Sequence, residues 1–376
     1  MEPCEEDQAR LGQAAGSAGV TSRTASAEDN LGTTAVRPGF GFDEAALARW
    51  MQQNLEGFAG PMQVRQFKGG QSNPTFQVKT PARSYVLRRK PPGPLARGAH
   101  AVDREARVIA ALGKVGFPVA RLLGFCGDPD VIGSEFFVME MVEGRIFWDA
   151  RFPEVPQAER PAYFSAMNAT LARLHAIDPA DVGLSDYGRP GNYFQRQIGL
   201  WTKSYLADTD AGRNPGMDRL IAWLPDAIPD SDETAIIHGD FRCDNLIFHP
   251  VEPRIIAVLD WELSTLGHPL ADFAYHAMMY RMPPDIVAGL GGTDPVPLNI
   301  PAERAYVAEY CANTGRDGIE GYDFYIAFNF FRMAAIFHGI KGRVIRGQAV
   351  SAHSEARAAQ FERLVRLAEQ AAEECV

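Results

Sequence analysis

Residues 236–248 read IIHGDFRCDNLIF, and residues 255–262 read IIAVLDWE. Two short apolar runs, 246–248 and 255–259, flank a polar turn at 249–254. Apolar runs of this length around turn residues predict a β-hairpin. A hairpin that reverses there brings Asn245, where the first strand starts, and Asp260, where the second ends, to one open end. Asp240 lies on the loop just upstream. Two carboxylates and an amide carbonyl gathered at one point are hard oxygen ligands and proton acceptors, a set suited to Mg²⁺ bridging phosphates beside a base for a hydroxyl. Phosphoryl transfer is the chemistry this pattern predicts, with Asp240 as the base and Asn245 and Asp260 as metal ligands. His238 is expected to hold the loop by hydrogen bonding.

Upstream, residues 40–57 carry Leu47, Trp50, Met51 and Leu55 at helical spacing. Runs at 64–67, 75–79 and 84–88, separated by Gly, Asn, Pro and Ser, read as an antiparallel meander. A helix is predicted over 100–112, ended by Gly113, with Val102, Ile109 and Leu112 on one stripe. Glu105 shares that stripe and points at the sheet, where a carboxylate is costly unless paired, so it calls for a cationic partner. Segments 121–125 and 136–141 complete a sheet of about five strands, and Glu143-Gly144 ends the pattern. Helical periodicity then dominates, over 161–176, 193–207, 216–224, 301–311, 322–339 and 354–374.

His238-x-Asp240-x4-Asn245, followed by Asp260, has the spacing of a kinase catalytic loop and its metal-binding Asp. With His238-Gly239-Asp240 and Asp260-Trp261-Glu262, the chain resembles the aminoglycoside phosphotransferase and choline kinase superfamily more than protein kinases. LDWELSTLGHPLAD at 259–272 and YVLRRKPPG at 85–93 look like the kinase-like domain at the N-terminus of acyl-CoA dehydrogenase family members 10 and 11. The resemblance covers about residues 40–370. It implies an α+β, protein-kinase-like two-lobed fold: a small antiparallel-sheet lobe with one key helix over residues 40–142, and a larger, mainly helical lobe over 143–376.

The same resemblance implies site residues. Lys68 to Asn73 look like a phosphate-covering loop in which Gly69, Gly70, Ser72 and Asn73 approach ATP. Arg88 stands where kinases carry a phosphate-gripping Lys, and Glu105 is the matching helix carboxylate. Arg in place of Lys departs from the general kinase pattern, because a planar fork holds phosphate differently from a compact ammonium. Glu140 to Val142 resembles the hinge whose backbone meets adenine. Arg242, two residues after the base, takes the place of a charge-neutralising Lys. Asp272 is implied to brace the catalytic loop.

The implied acceptor is a small-molecule hydroxyl, with a hydroxyacyl-CoA expected from the dehydrogenase-linked relatives, and a functional link to an acyl-CoA dehydrogenase. An aminoglycoside or amino-alcohol kinase is the alternative, although a polycationic acceptor asks for an acidic pocket and no dense acidic run is visible. A non-catalytic, pseudokinase-like nucleotide-binding module is the alternative of another class. A serine hydrolase is excluded by the missing nucleophile elbow.

Composition agrees. A chain of 376 residues with a formal net charge of −10 gives no reason to expect nucleic-acid binding. Its five scattered cysteines lack metal or redox spacing, which predicts a reducing, cytoplasmic setting. No export signal or membrane span is expected. Residues 1–39 are rich in Gly, Ala, Ser and Thr and are expected to form a disordered tail. His268, His276 and His338 are expected in the core, while Arg343 and Arg346 are candidates for an anionic substrate or the plain surface.

Overall fold

The computed structural model describes residues 32–68, 73–92, 101–348 and 352–375. Gly69, Gly70 and Ser72 of the expected phosphate loop, and residues 1–31 of the expected tail, lie outside these.

The smaller lobe is a six-stranded antiparallel sheet of β1 (Thr33–Thr34), β2 (Gln63–Phe67), β3 (Thr75–Lys79), β4 (Ser84–Arg89), β5 (Leu122–Cys126) and β6 (Phe136–Glu140), in the order β1-β2-β3-β4-β6-β5. One expectation is corrected at its edge. Residues 32–39 do not belong to a tail: Thr33 and Thr34 pair with Phe67 and Gln66, and the Arg37 guanidinium donates to the Phe67 carbonyl at 3.0 Å. This two-residue strand, which adds a sixth member to the five expected, is too short to leave an apolar alternation in the sequence.

Side-chain alternation divides the sheet. Tyr85 and Leu87 of β4, with Phe136 and Val138 of β6, join a core under helix α1 (Glu44–Asn54). Asp43 caps that helix, accepting from the Ala46 N–H at 2.9 Å. The opposite face, with Val86, Phe137 and Met139, packs on Val102, Ile109 and Leu112 of helix α2 (Val102–Lys114) and runs into the core of the larger lobe. Arg88 shares the parity of Val86, so β4 delivers it to the α2 face.

The larger lobe holds α3 (Arg160–His175), α4 (Tyr193–Ala207), α5 (Pro215–Trp223), strands β7 (Ala235–Ile237), β8 (Leu246–Phe248), β9 (Ile255–Val258) and β10 (Thr265–Gly267), then α6 (Pro269–Ala277), α7 (Glu303–Thr314), α8 (Tyr322–Ile345), α9 (Ala352–Ala359) and α10 (Phe361–Glu374). The apolar α8, with Phe324, Phe328 and Phe331 buried, forms the axis on which α4, α6 and α10 pack. The single C-terminal helix expected over 354–374 is two helices, α9 and α10. Among the described residues no helix is long and apolar enough to cross a membrane.

After β6, Gly144 passes under β8. A Cβ there would sit 2.3 Å from the Phe248 carbonyl oxygen and 2.5 Å from Ile247 Cγ2, and this close approach lets Arg145 and Phe248 exchange backbone hydrogen bonds of 2.8 Å in each direction. Gly144→Ala is expected to cost about 1–3 kcal/mol of stability through overpacking against backbone that has no free rotamer to yield. Urea melts check this, and an unchanged midpoint would show that the junction relaxes freely.

Candidate active site

Two short ladders set the geometry. β7 pairs with β10 and β8 with β9, both antiparallel, so the loop at 238–245 and the loop at 259–264 leave adjacent strand ends. The Leu259 N–H donates to the Asn245 carbonyl at 2.8 Å, which closes the hairpin and seats Asp260 beside Asn245. Asp260 adopts a left-handed backbone conformation, φ 62° and ψ 61°, a region only sparsely populated by non-glycine residues. The Asn245 amide nitrogen donates to the Asp240 carbonyl oxygen at 2.9 Å and to Asp240 Oδ2 at 3.1 Å, so Oδ1 is the acceptor atom of this side chain.

The loop around Asp240 is held from beneath. Both oxygens of buried Asp272 accept backbone N–H groups, from His238 and Gly239, each at 2.7 Å. His175 Nε2 lies 3.2 Å from Asp272 Oδ2, and its Nδ1 meets the Tyr310 hydroxyl at 2.6 Å. His238 accepts the Asp240 N–H on Nδ1 at 3.2 Å, so its Nε2 donates to the Leu259 carbonyl at 2.8 Å. The imidazole thereby ties the two loops together. His276 reaches the Phe241 carbonyl at 3.1 Å, and Arg332 donates to the Gly239 carbonyl at 3.2 Å.

Above them, Arg88 joins the lobes. Its Nε lies 2.8 Å from Glu105 Oε2, an ion pair without hydrogen-bond alignment. Its Nη2 lies 2.5 Å from Asp260 Oδ1 and 3.5 Å from Glu262 Oε2. Asn73, at the described end of the glycine loop, donates to the same Glu262 oxygen at 3.4 Å. Burial, reinforced by the charges of Asp260 and Glu262, pushes the Glu105 carboxyl up to about 7 against the pull of Arg88. Arg88 stays firmly protonated: its three carboxylate neighbours outweigh the burial that opposes its charge.

Asp240 receives two partners beyond Asn245. The Tyr275 hydroxyl donates to Asp240 Oδ1, and Arg242 Nε lies 3.3 Å from the same oxygen while its Nη2 donates to Asp244 Oδ2 at 2.8 Å. Tyr275 escapes a reading of the sequence because it sits 35 residues downstream on α6 and meets Asp240 only through the fold; nothing in its surroundings marks it.

Arg88, Glu105, Asn73, Asp240, Arg242, Asn245 and Asp260 thus converge on one cleft. Glu140 and Val142 lie at the exit of β6 outside the carboxylate cluster, and the Glu140 side chain turns to Arg121, 3.5 Å away. His268, His276 and His338 are buried and hydrogen-bonded to Ser231, Tyr306 and Gly212; burial lowers His268 and His276 to about 4. Arg346 is engaged by Asp208 and Asp210.

Burial pushes the Asp272 carboxyl up, but the His175 hydrogen bond, the nearby imidazoles and the His238 N–H outweigh it and hold it below the usual range. A depressed folded pKa means that the ionised group stabilises the fold above the unfolded value near 3.9 and that this contribution is lost as pH falls through the folded value. Asp272→Asn places an NH₂ against a buried N–H and is expected to cost about 2 kcal/mol or more at pH 7. The gap to wild type should narrow in urea melts below about pH 4; a constant gap from neutral to acid would rule out an ionised brace.

The phosphotransferase enzyme family model matches residues 63–325. Acyl-CoA dehydrogenase family member 11 of Gallus gallus is 46% identical over 329 residues, covering 85% of this chain and 42% of that protein. Acyl-CoA dehydrogenase family member 10 of Mus musculus is 42% identical over 326 residues, covering 86% of this chain and 30% of that protein. The chain therefore spans less than half the length of these curated relatives. A Ralstonia eutropha structure described as an aminoglycoside phosphotransferase superposes with a TM-score of 0.82 at 47% identity, over 89% of this chain and 99% of that one. The fold and a family match across most of the chain agree: it belongs to the phosphotransferase enzyme family and has a two-lobed, protein-kinase-like architecture.

Proposed function

We propose that the chain transfers the γ-phosphoryl group of ATP to the hydroxyl of a hydroxyacyl-CoA. The reaction class rests on one observation: Asp240, Asn245 and Asp260 meet at the mouth of a cleft whose other wall carries the Arg88–Glu105 pair. The acceptor oxygen forms a bond to the γ-phosphorus while the bond to the β-phosphate oxygen breaks, and the hydroxyl proton passes to the Asp240 carboxylate. The Tyr275 hydroxyl and the Asn245 amide hold that carboxylate in place. Arg242 offsets charge on the transferring group, and Arg88 grips the phosphates, with Gly69, Gly70, Ser72 and Asn73 covering them. Backbone groups at Glu140 and Val142 meet the adenine.

Asn245 Oδ1 and the Asp260 carboxylate are hard donors that fit Mg²⁺, which when bound neutralises phosphate charge. Among the described residues no cluster of three His, Cys, Asp or Glu ligands occurs. A cation that completes its shell with phosphate and water needs no such cage.

A cavity of about 20 Å³ lies beside Arg242 and Tyr275, lined also by Met278, Met279, Met282 and Val287, with room for one water and not for an acyl chain. No acidic side chain lines it, so it offers nothing to hold a polycationic aminoglycoside. The acceptor class is supported by the names of the relatives, acyl-CoA dehydrogenase family members 10 and 11.

³¹P NMR of Mg-ATP with hydroxyacyl-CoAs of several chain lengths, and with amino-alcohols, tests both parts. A new phosphate-ester signal is expected with the thioesters alone. Asp240→Asn should slow its appearance about 10²- to 10⁴-fold while ATP binding persists, and Arg242→Ala should lower turnover more than ATP affinity. A signal with amino-alcohols only would replace the acceptor and keep the chemistry. No ester with any hydroxyl would defeat the kinase reading.

A further inference from the structure

A second pocket, of about 380 Å³, opens away from the residues assigned to nucleotide and metal. That size lies within the range of small-molecule sites. Arg104 of α2, Tyr187, Arg189, Arg196 and Gln197 of the 186–197 segment, and Thr265 of β10 line it. Gly188 makes the enclosure possible: a Cβ there would lie 2.5 Å from Thr265 Oγ1 and 2.7 Å from the Leu266 nitrogen, so only glycine lets this segment lie flat on β10.

The charge is one-sided. Arg104 donates through Nη2 to the Tyr187 carbonyl at 2.6 Å and stacks over the Tyr187 ring at 4.3 Å. Arg196 donates to the carbonyls of Arg189, at 2.6 Å, and Gly191. These bonds use neutral acceptors, fix the two guanidinium planes and leave further N–H donors on each, since a guanidinium carries five. Among the described residues neither forms an ion pair, and nor does exposed Arg189. The one acid in the lining, Asp186, is gripped by Arg107, which adds a fourth arginine at the rim. Asp232 lies nearby, outside the lining, and accepts the Asn192 N–H at 2.9 Å. Three lining arginines, with Asp186 offset by its pairing to Arg107, are, in a chain of net charge −10, a local reversal of sign that suits phosphate, which a pre-oriented guanidinium fork binds through paired hydrogen bonds.

We infer that this pocket binds a phosphate-bearing anion at a site separate from the nucleotide cleft, supplied as free phosphate or by the phosphate groups of a CoA thioester. The inference stands on the arginines and does not depend on which hydroxyl is phosphorylated. Its place in the fold gives an occupant leverage. The Tyr187 hydroxyl sits 3.2 Å from the Arg104 carbonyl and 2.8 Å from Ser264 Oγ, and Ser264 donates to the Trp261 carbonyl at 2.5 Å. The pocket wall therefore connects the helix carrying Glu105 to the turn that follows Asp260.

Isothermal titration of the full chain, saturated with a non-hydrolysable ATP analogue and Mg²⁺ so that the cleft is filled, tests it with inorganic phosphate, CoA and dephospho-CoA. Saturable phosphate binding is expected, weakened about tenfold or more in Arg189→Gln and less in Arg189→Lys. Arg189 is exposed and makes no structural side-chain bond, so folding is not at stake, and a matching thermal melt confirms that. Asp240→Asn should bind phosphate as wild type does. CoA binding tighter than both dephospho-CoA and phosphate, with the advantage lost in Arg189→Gln, identifies the thioester as the source. Equal affinity for CoA and phosphate identifies the free anion. Absence of saturable binding by either, or binding that neither Arg189→Gln nor Arg196→Gln weakens, overturns the inference.

Discussion

The Arg88 guanidinium is shared by carboxylates from two other parts of the chain, and three elements must dock together before it is satisfied. Its side chain is 9% exposed and that of Glu105 only 3%. Burying either charge alone would cost several kcal/mol, so neither β4 nor α2 can hold its residue without the other. Strand parity turns Arg88 toward α2, the apolar stripe of α2 turns Glu105 toward the sheet, and the loop after β9 brings Asp260 and Glu262 to the opposite side of the same group. The cluster carries one cation for three carboxylates, and the Glu105 carboxyl is raised to about 7 first by burial and then by the charges of Asp260 and Glu262. Under the proposed function, that surplus of negative charge would favour a divalent cation, and a phosphate would compete with Asp260 for the guanidinium.

The loop bearing Asp240 is fixed by different means. Its support is mostly backbone: Asp272 takes two N–H groups, His276 and Arg332 take carbonyls, and His238 bridges to Leu259. Fixing the peptide units positions the Asp240 carboxylate, which meets the charged Arg242 guanidinium at 3.3 Å as its nearest cation, in the orientation that an in-line transfer would need of a base. The two halves of the site are therefore built differently, an ionic clamp above and a hydrogen-bonded cradle below. His238 and Asp260 are the points where they touch.

Legibility in the sequence follows the range of the interactions. The β8–β9 hairpin was readable because its strands and turn are contiguous, and its closure places Asn245 and Asp260 where the apolar runs imply. Glu105 was readable because an acid on an apolar helical stripe demands a partner, and the identity of that partner followed once Arg88 was aligned by resemblance. Tyr275 was not readable: α6 is buried throughout, and no periodicity separates the tyrosine that meets Asp240 from those that pack. The strand at Thr33–Thr34 is held by pairing to β2 and by Arg37, neither of which leaves a local pattern. The break between α9 and α10 was missed because helical periodicity runs on across it.

The geometry also explains why position 88 carries arginine where the kinase pattern has lysine. Nε and Nη2 leave the guanidinium in different directions, and here they reach Glu105 on one side and Asp260 with Glu262 on the other. A lysine ammonium presents its donors from one nitrogen at the end of a flexible stem, so it would have to sit equidistant from carboxylates that this chain holds apart. Arginine spans them with a rigid plane and stays charged at any relevant pH. The substitution is therefore matched by the second carboxylate at Glu262, where the general kinase motif has glycine. Arg88 and Glu262 read best as one adaptation: a longer, forked cation at the roof of the cleft, and an added acid on the loop after β9 to hold its far end.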